Sequence, residues 1–323
     1  MDASLTFLTP LGALVALGVL VPLAALILMR RRARSLRAAL SLGEWGRWGV
    51  LAALAALLAV AALLGLAATQ PILERTHPRE VRTDAQAFVV IDVSRSMLAQ
   101  SSPDAAPRIE RAKAVARLVR ASLGDVPVGI ASLTDRVLPH VFPTADDAAF
   151  ESTLDRSVGV DRPPPRGSFL TTATKLDALG ATRSLRFFSP AAERRLLVVL
   201  TDGETLPVAD QRLRQLLRAD PPIETVFVQF WREDERVYSN GEPERQYKPD
   251  PTAPDVLTRI ASTVDGEVYD EDRAAAAAEK ASLLMGGGPT IVEGTRRSRF
   301  ALAPYLSFAA FVPLLLLLRR RDR

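Results

Sequence analysis

The segment Phe88-Val-Val-Ile-Asp92-Val-Ser94-Arg-Ser96-Met97 restricts what this chain can fold into more than any other. Its apolar, largely β-branched start reads as a buried strand. The strand ends on a carboxylate, followed by hydroxyls at every second position, so three hard oxygen donors converge beyond its tip. Oxygen donors of that kind suit Mg²⁺ or a similar ion. A second apolar run, Leu196-Leu-Val-Val-Leu200, leads into Thr201-Asp202-Gly203-Glu204 and brings another carboxylate to the carboxyl end of what reads as a neighbouring parallel strand.

Around these two runs, strand patterns alternate with helical ones, as a parallel sheet requires. Strands are expected at 87–92, 127–133, 137–142, 196–202, 223–230 and 266–269. Helices are expected at 108–123, at 146–157 with Thr144 as the cap, and at 174–185, 209–217, 256–264 and 274–284. In the helix at 108–123, Ile109, Ala112, Val115, Ala116 and Val119 share one face, with Arg and Lys on the other. The order predicts a doubly wound, mostly parallel α/β sheet with helices on both faces and one antiparallel edge strand. Ligand sites in such sheets lie outside the carboxyl ends of the strands.

Three long apolar stretches, residues 11–29, 49–69 and 300–318, meet the length of a membrane-spanning helix. They predict an N-terminal membrane region over 1–70 and a stalk over 71–85. A globular domain at 86–285, a linker at 286–299, a third transmembrane helix and a basic tail at 319–323 complete the division. Arg30, Arg31, Arg32, Arg34, Arg37 and Arg47 crowd the link between the first two stretches, and the positive-inside rule places that link in the cytoplasm. The expectation is a multi-pass protein of the cytoplasmic (inner) membrane, in contact with the lipid bilayer, whose globular domain lies on the extracytoplasmic side.

The paired strand ends resemble the metal-ion-dependent adhesion site, MIDAS, of von Willebrand factor A (VWA) domains, in which Asp-x-Ser-x-Ser is followed by a Thr and then by a T-D-G strand end. The resemblance implies that Ser94, Ser96 and a threonine touch the metal, with Asp92 and Asp202 in supporting roles. Thr172 and Thr174, in Thr171-Thr172-Ala-Thr174-Lys-Leu176, both suit the threonine position. It further implies Mg²⁺, or Mn²⁺ or Ca²⁺, as cofactor, and a protein partner that supplies a carboxylate to the metal. The expected role is binding and not catalysis. The succession of two apolar segments, one A domain and a closing segment resembles the bacterial Bat (aerotolerance-type) proteins. That likeness implies work in assembling or maintaining envelope complexes, alongside other VWA proteins and a MoxR-type AAA+ ATPase. A transmembrane signalling component and a purely structural A domain are the alternatives.

Other classes fail on particular residues. A phosphatase of the haloacid dehalogenase type needs Asp where Ser94 stands. A His-rich metallohydrolase or a serine hydrolase lacks its histidines, because His77 and His140 are the only two. The absence of cysteine excludes disulfides and thiolate chemistry. The net charge of +4 is concentrated at the flanks of the apolar stretches, so no nucleic-acid partner is expected. The charged segment Arg232 to Pro254 follows a strand end and so lies on the metal side. Trp231, Tyr238 and Tyr247 are its candidate partner anchors.

Overall fold

The computed structural model describes residues 2–25, 27–28, 32, 47–160, 162, 164 and 174–321. The chain divides into two compact units, residues 1–79 with 294–323, and residues 80–293.

In the first unit, strand β1 (Asp2–Phe7) pairs antiparallel with β2 (Pro71–Arg82), Ser4 opposite Glu74. A 3₁₀-helix, Pro10–Val19, follows β1, and helix α1 spans Arg47–Ala68. These two pack against each other through small residues. A Cβ on Gly12 would come within 2.1 Å of the Ala68 carbonyl oxygen, and one on Gly65 within 2.7 Å of the Ala16 Cβ.

The second unit is built on a six-stranded sheet, spatial order β10-β7-β6-β3-β4-β5. Its strands are β3 (Ala85–Asp92), β4 (Val128–Leu133), β5 (Val137–Thr144), β6 (Arg194–Thr201), β7 (Ile223–Gln229) and β10 (Glu267–Asp270). All pair in parallel except β5, which runs antiparallel along the edge. Helices α2 (Arg108–Ser122), α3 (Asp147–Arg156), α4 (Ala181–Ser184), α5 (Asp210–Leu217), α6 (Ala253–Thr263) and α7 (Ala274–Met285) connect them. A short ribbon, β8 (Tyr238–Ser239) with β9 (Glu242–Pro243), lies in the segment after β7.

Both faces of the sheet are buried, so β3 is apolar at consecutive positions and does not alternate. Ala87, Val89 and Ile91 join one core with α2 and α7, while Phe88 and Val90 join the other with Phe187, Phe188 and Leu213. Gly129, opposite Phe88 on β4, leaves room for that ring, since a Cβ there would sit 2.5 Å from Phe88 Cε1.

The second unit is closed by a guanidinium. Arg82 forks onto Asp84, Nε to Oδ1 at 2.7 Å and Nη2 to Oδ2 at 2.9 Å, and Nη1 donates to the Gly286 carbonyl at 2.6 Å. Arg194 Nη1 reaches the Met285 carbonyl at 2.9 Å. Two cations thus meet the carbonyl end of α7, where the helix dipole favours them. The chain then leaves through β11 (Thr290–Ala301) and reaches helix α8 (Ala303–Arg321) in the first unit.

Several sequence expectations are corrected. Among the described residues no helix is long and apolar enough to cross a membrane. This overturns the three transmembrane helices at 11–29, 49–69 and 300–318. The multi-pass inner-membrane localisation and the extracytoplasmic placement of the domain fall with them. Apolar length measures what a segment must hide, not where it hides it. The first stretch is wound in part as a 3₁₀-helix, α8 carries Pro313 within it, and α1 packs on both of them. Residues 71–82, read as a stalk, form β2. The cap of α3 is Asp146, whose carboxylate accepts from the Ala148 and Ala149 amides, while Thr144 accepts from Asp146 N. The helix expected over 174–185 is a 3₁₀ turn, Leu176–Gly180, followed by the short α4.

Arg82→Ala strands the Asp84 carboxylate and the Gly286 carbonyl, and is expected to cost about 3 kcal/mol of stability in urea unfolding. The Arg82 hydrogen bond holds the Asp84 carboxyl below its ordinary value. Its contribution is therefore present above the usual aspartate range and lost as pH falls below about 4. Asp84→Asn should flatten the acid limb of the stability curve in that window.

Candidate functional site

The chain proceeds from β3 to β4 and β5 on one side of the sheet, then from β6 to β7 and β10 on the other, so the strand order reverses between β3 and β6. A crevice opens at the carboxyl ends of the strands at such a point. Asp92 ends β3, and Thr201 ends β6 with Asp202 next; all three are fully buried.

Asp92 is held by three donors. Ser94 N donates to Oδ1 at 2.9 Å, Thr201 Oγ1 to Oδ2 at 2.7 Å, and Thr174 Oγ1 lies 3.0 Å from both oxygens. The Ser94 and Ser96 hydroxyls touch at 2.9 Å. Ser96 stands close enough to Asp202 to lower the value of its carboxyl. The structure therefore brings Asp92, Ser94, Ser96, Thr174 and Asp202 together. Thr172 lies outside the described residues. Thr174 is fixed by a parallel bridge to Thr205 and by its carbonyl, which accepts from Leu206 N at 2.9 Å and from Thr205 Oγ1 at 3.0 Å.

The T-D-G turn explains itself locally. Thr201 Oγ1 accepts from Gly203 N at 3.1 Å while donating to Asp92. Gly203 has φ +84°, and a Cβ there would be 3.0 Å from the Ala253 carbonyl oxygen, so both backbone and space require glycine. Asp202 Oδ1 accepts from Glu204 N at 2.9 Å, and its own carbonyl accepts from Gln229 Nε2 on β7 at 3.0 Å.

A buried cation stands behind the two acids. Arg108, the first residue of α2, is fully buried and donates from Nη1 to Asp202 Oδ2 at 3.1 Å, Glu204 Oε1 at 3.2 Å and the Tyr247 hydroxyl at 3.0 Å. Its Nε donates to Glu235 Oε2 at 2.6 Å. The Tyr247 hydroxyl donates to Glu204 Oε1 at 2.8 Å. Glu235 and Tyr247 both come from the segment after β7, which thereby reaches the strand-end edge. Tyr238 lies in β8, its hydroxyl 3.5 Å from the Ser101 carbonyl, and the buried Trp231 Nε1 has no hydrogen-bond partner among the described residues.

The electrostatics follow from burial. Loss of water, then the neighbouring Asp202 charge, push the Asp92 carboxyl up to about 7. Burial also raises Asp202, against the pull of Arg108. Burial and then Asp202 raise Glu204 to about 7. Burial by itself lowers the Arg108 value, but Asp202, Tyr247 and Glu235 outweigh it and hold the guanidinium charged.

Sequence reasoning missed Thr201 as a direct contact of Asp92, and missed Arg108, Glu204 and Glu235. Arg108 had a usable signal. It precedes Ala112, Val115 and Val119 by four, seven and eleven positions, which puts it on the apolar stripe of α2 and not on the charged face.

A doubly wound sheet with an acid and hydroxyl cluster at its switch point gives this unit an α/β fold similar to that of von Willebrand factor A domains. The domain resembles those of the Bat proteins in fold. An aerotolerance-related membrane protein from Bacteroides fragilis NCTC 9343, solved with multiple mutations to serine, is 17% identical with a TM-score of 0.50, covering 62% of this chain and 98% of that one. BatB from Bacteroides thetaiotaomicron is 16% identical with a TM-score of 0.50, over 62% of this chain and 98% of that one. No family model matches the sequence, and no curated protein matches it. At these identities the likeness is one of fold.

Arg108→Ala leaves Asp202 buried without its cation and Glu235 with Arg111 alone, and is expected to destabilise the protein by about 3–5 kcal/mol in chemical denaturation. Arg108→Met, which refills the volume, leaves Asp202 unpaired and should not restore the loss.

Proposed function

We propose that this chain is a binding module in which the strand-end cluster takes a divalent cation, and that the cation receives a carboxylate from a protein partner. One observation carries the reading: two carboxylates, Asp92 and Asp202, are fully buried beside one another, Asp92 accepting from the Thr174 and Thr201 hydroxyls and Asp202 from Arg108. Burial raises both carboxyls, and the neighbouring Asp202 charge raises Asp92 further. A divalent cation would oppose both effects. The donor chemistry fits, since carboxylate and hydroxyl oxygens are hard ligands. Ser94, Ser96 and Thr174 would supply hydroxyls, and Asp92 and Asp202 the charge. Among the described residues no group of three or more His, Cys, Asp or Glu is placed to hold a metal, so the hydroxyls are essential to this reading.

Such a set neutralises a dication only in part, because Arg108 already takes up charge on Asp202. A partner carboxylate would complete the coordination. Trp231, Tyr238 and Tyr247 belong to the segment that reaches the same edge, and their aromatic area suits a protein surface. The reading is one of binding and not of catalysis. The Bat-like fold extends it to the assembly or maintenance of complexes with other VWA proteins and a MoxR-type AAA+ ATPase; co-purification of such an ATPase with the chain, lost in EDTA, is the expected outcome.

A second reading has its own support. Arg108 contacts Asp202 and Glu204 directly, and a resident guanidinium would serve a purely structural A domain in place of a metal.

Calorimetric titration of the full chain with Mg²⁺ and Mn²⁺ separates the two readings. Binding is expected in the wild type, with at least about a tenfold loss in Asp92→Ala and Ser94→Ala variants that keep a cooperative melt. Absence of binding in the wild type leaves the structural reading.

A further inference from the structure

At the opposite, amino-terminal edge of the same sheet lies a cleft of about 450 Å³, within the range of small-ligand sites. Phe188, Pro221 and Ile223 form its apolar wall, and three arginines, Arg183, Arg186 and Arg195, supply its charge. Among the described residues that line it, none is acidic. Three guanidinium groups share a small concave space whose described lining includes no carboxylate. Burial lowers the Arg195 value, and the neighbouring Arg183 charge lowers it further.

Two of these arginines are anchored. Arg183 donates from Nε to the Leu216 carbonyl at 3.2 Å and from Nη2 to the Ala219 carbonyl at 2.5 Å. Arg195 donates from Nε to the Ala192 carbonyl at 2.8 Å, and its guanidinium lies 6.0 Å from the centre of the Phe188 ring. These contacts orient the groups but leave their charge uncompensated. Arg186 is exposed and held at φ +55°, where a non-glycine side chain is disfavoured. A glycine or asparagine would occupy that turn at lower cost, yet the position carries a third positive charge at the mouth of the cleft.

We propose that this cleft is a second binding site, for a phosphomonoester carried on an apolar or aromatic body. Clustered guanidiniums match the charge and forked geometry of a phosphate better than they match a single carboxylate, and the wall of Phe188, Pro221 and Ile223 accommodates the body. The site stands at the other end of the strands from Asp92 and Asp202 and does not depend on the metal-site reading.

The test is calorimetric titration of the full chain with phenyl phosphate, with benzoate and inorganic phosphate in parallel. Phenyl phosphate is expected to bind, more tightly than either, and more weakly as salt rises. Arg186→Glu should weaken it by about tenfold or more. Arg186→Gly serves as the second variant: relief of the strained φ should leave the melting temperature unchanged or higher while binding still falls. Failure of phenyl phosphate to bind overturns the proposal. So do benzoate or inorganic phosphate binding as tightly, and affinity unchanged in both variants.

Discussion

The burial of Asp92 beside Asp202 is the constraint that the rest of the strand-end edge satisfies. A carboxylate without water needs donors, and each acid receives them in a different way. Asp92 is met by hydroxyls and an amide from three parts of the chain, the turn after β3, the loop at Thr174 and the end of β6. Asp202 is met by Arg108 and by the Glu204 amide. This division leaves Asp92 surrounded by neutral groups and Asp202 beside a full positive charge. It explains why the segment after β7 folds back. Arg108 carries more donor capacity than one acid uses, and Glu235 and Tyr247 supply further partners, while its buried Nη2 has none among the described residues.

The topology makes this pairing possible. Only where successive connections leave in opposite directions do two adjacent parallel strands end without a loop crossing between them. β3 and β6 are that pair, and their last residues carry the acids. The turn after β6 must then be tight enough to keep Thr201, Asp202 and Glu204 within reach of three different partners. Gly203, at φ +84° and close against Ala253, provides that turn.

The fold and half of the site were legible because they interrupt a strong pattern. A polar residue that ends a run such as Val89-Val90-Ile91 is conspicuous, and so Asp92, Ser94, Ser96 and Asp202 were found by position. Thr174 could be narrowed only to a pair with Thr172, since its contact with Asp92 bridges 82 positions of sequence and no local pattern encodes it. Glu235 was hidden for the same reason, as was the contact of Tyr247, read as a partner anchor, with Arg108 and Glu204. Arg108 was hidden differently, because an arginine at the start of an amphipathic helix reads as solvated even when its spacing places it inward. The apolar stretches were read from length and hydropathy alone. α1 packs against the 3₁₀-helix and α8, yet Leu51, Leu58, Leu64 and Leu66 on it stay exposed. The cap of α3 shows an ambiguity at short range, because Thr144 and Asp146 are both good capping residues, and only the backbone geometry selects Asp146.

The two edges of the sheet carry opposite charge for a reason rooted in the fold. In a parallel α/β sheet the connecting helices run against the strands, so helix amino ends gather near strand carboxyl ends, and helix carbonyl ends near strand amino ends. Acids at Asp92 and Asp202 and cations at Arg183 and Arg195 each sit where the backbone dipoles favour them. Arg183 shows this directly, since it takes the carbonyl oxygens at and just after the end of α5. A helix end offers roughly half an elementary charge, however, against a whole one on each guanidinium. The dipoles therefore account for the sign of the charge at each edge but not for its amount. At the carboxyl edge the excess is met in part by Arg108, a charge drawn from within the fold. At the amino edge the described residues lining the cleft include no corresponding acid, and the uncompensated charge there is what a ligand from outside would meet.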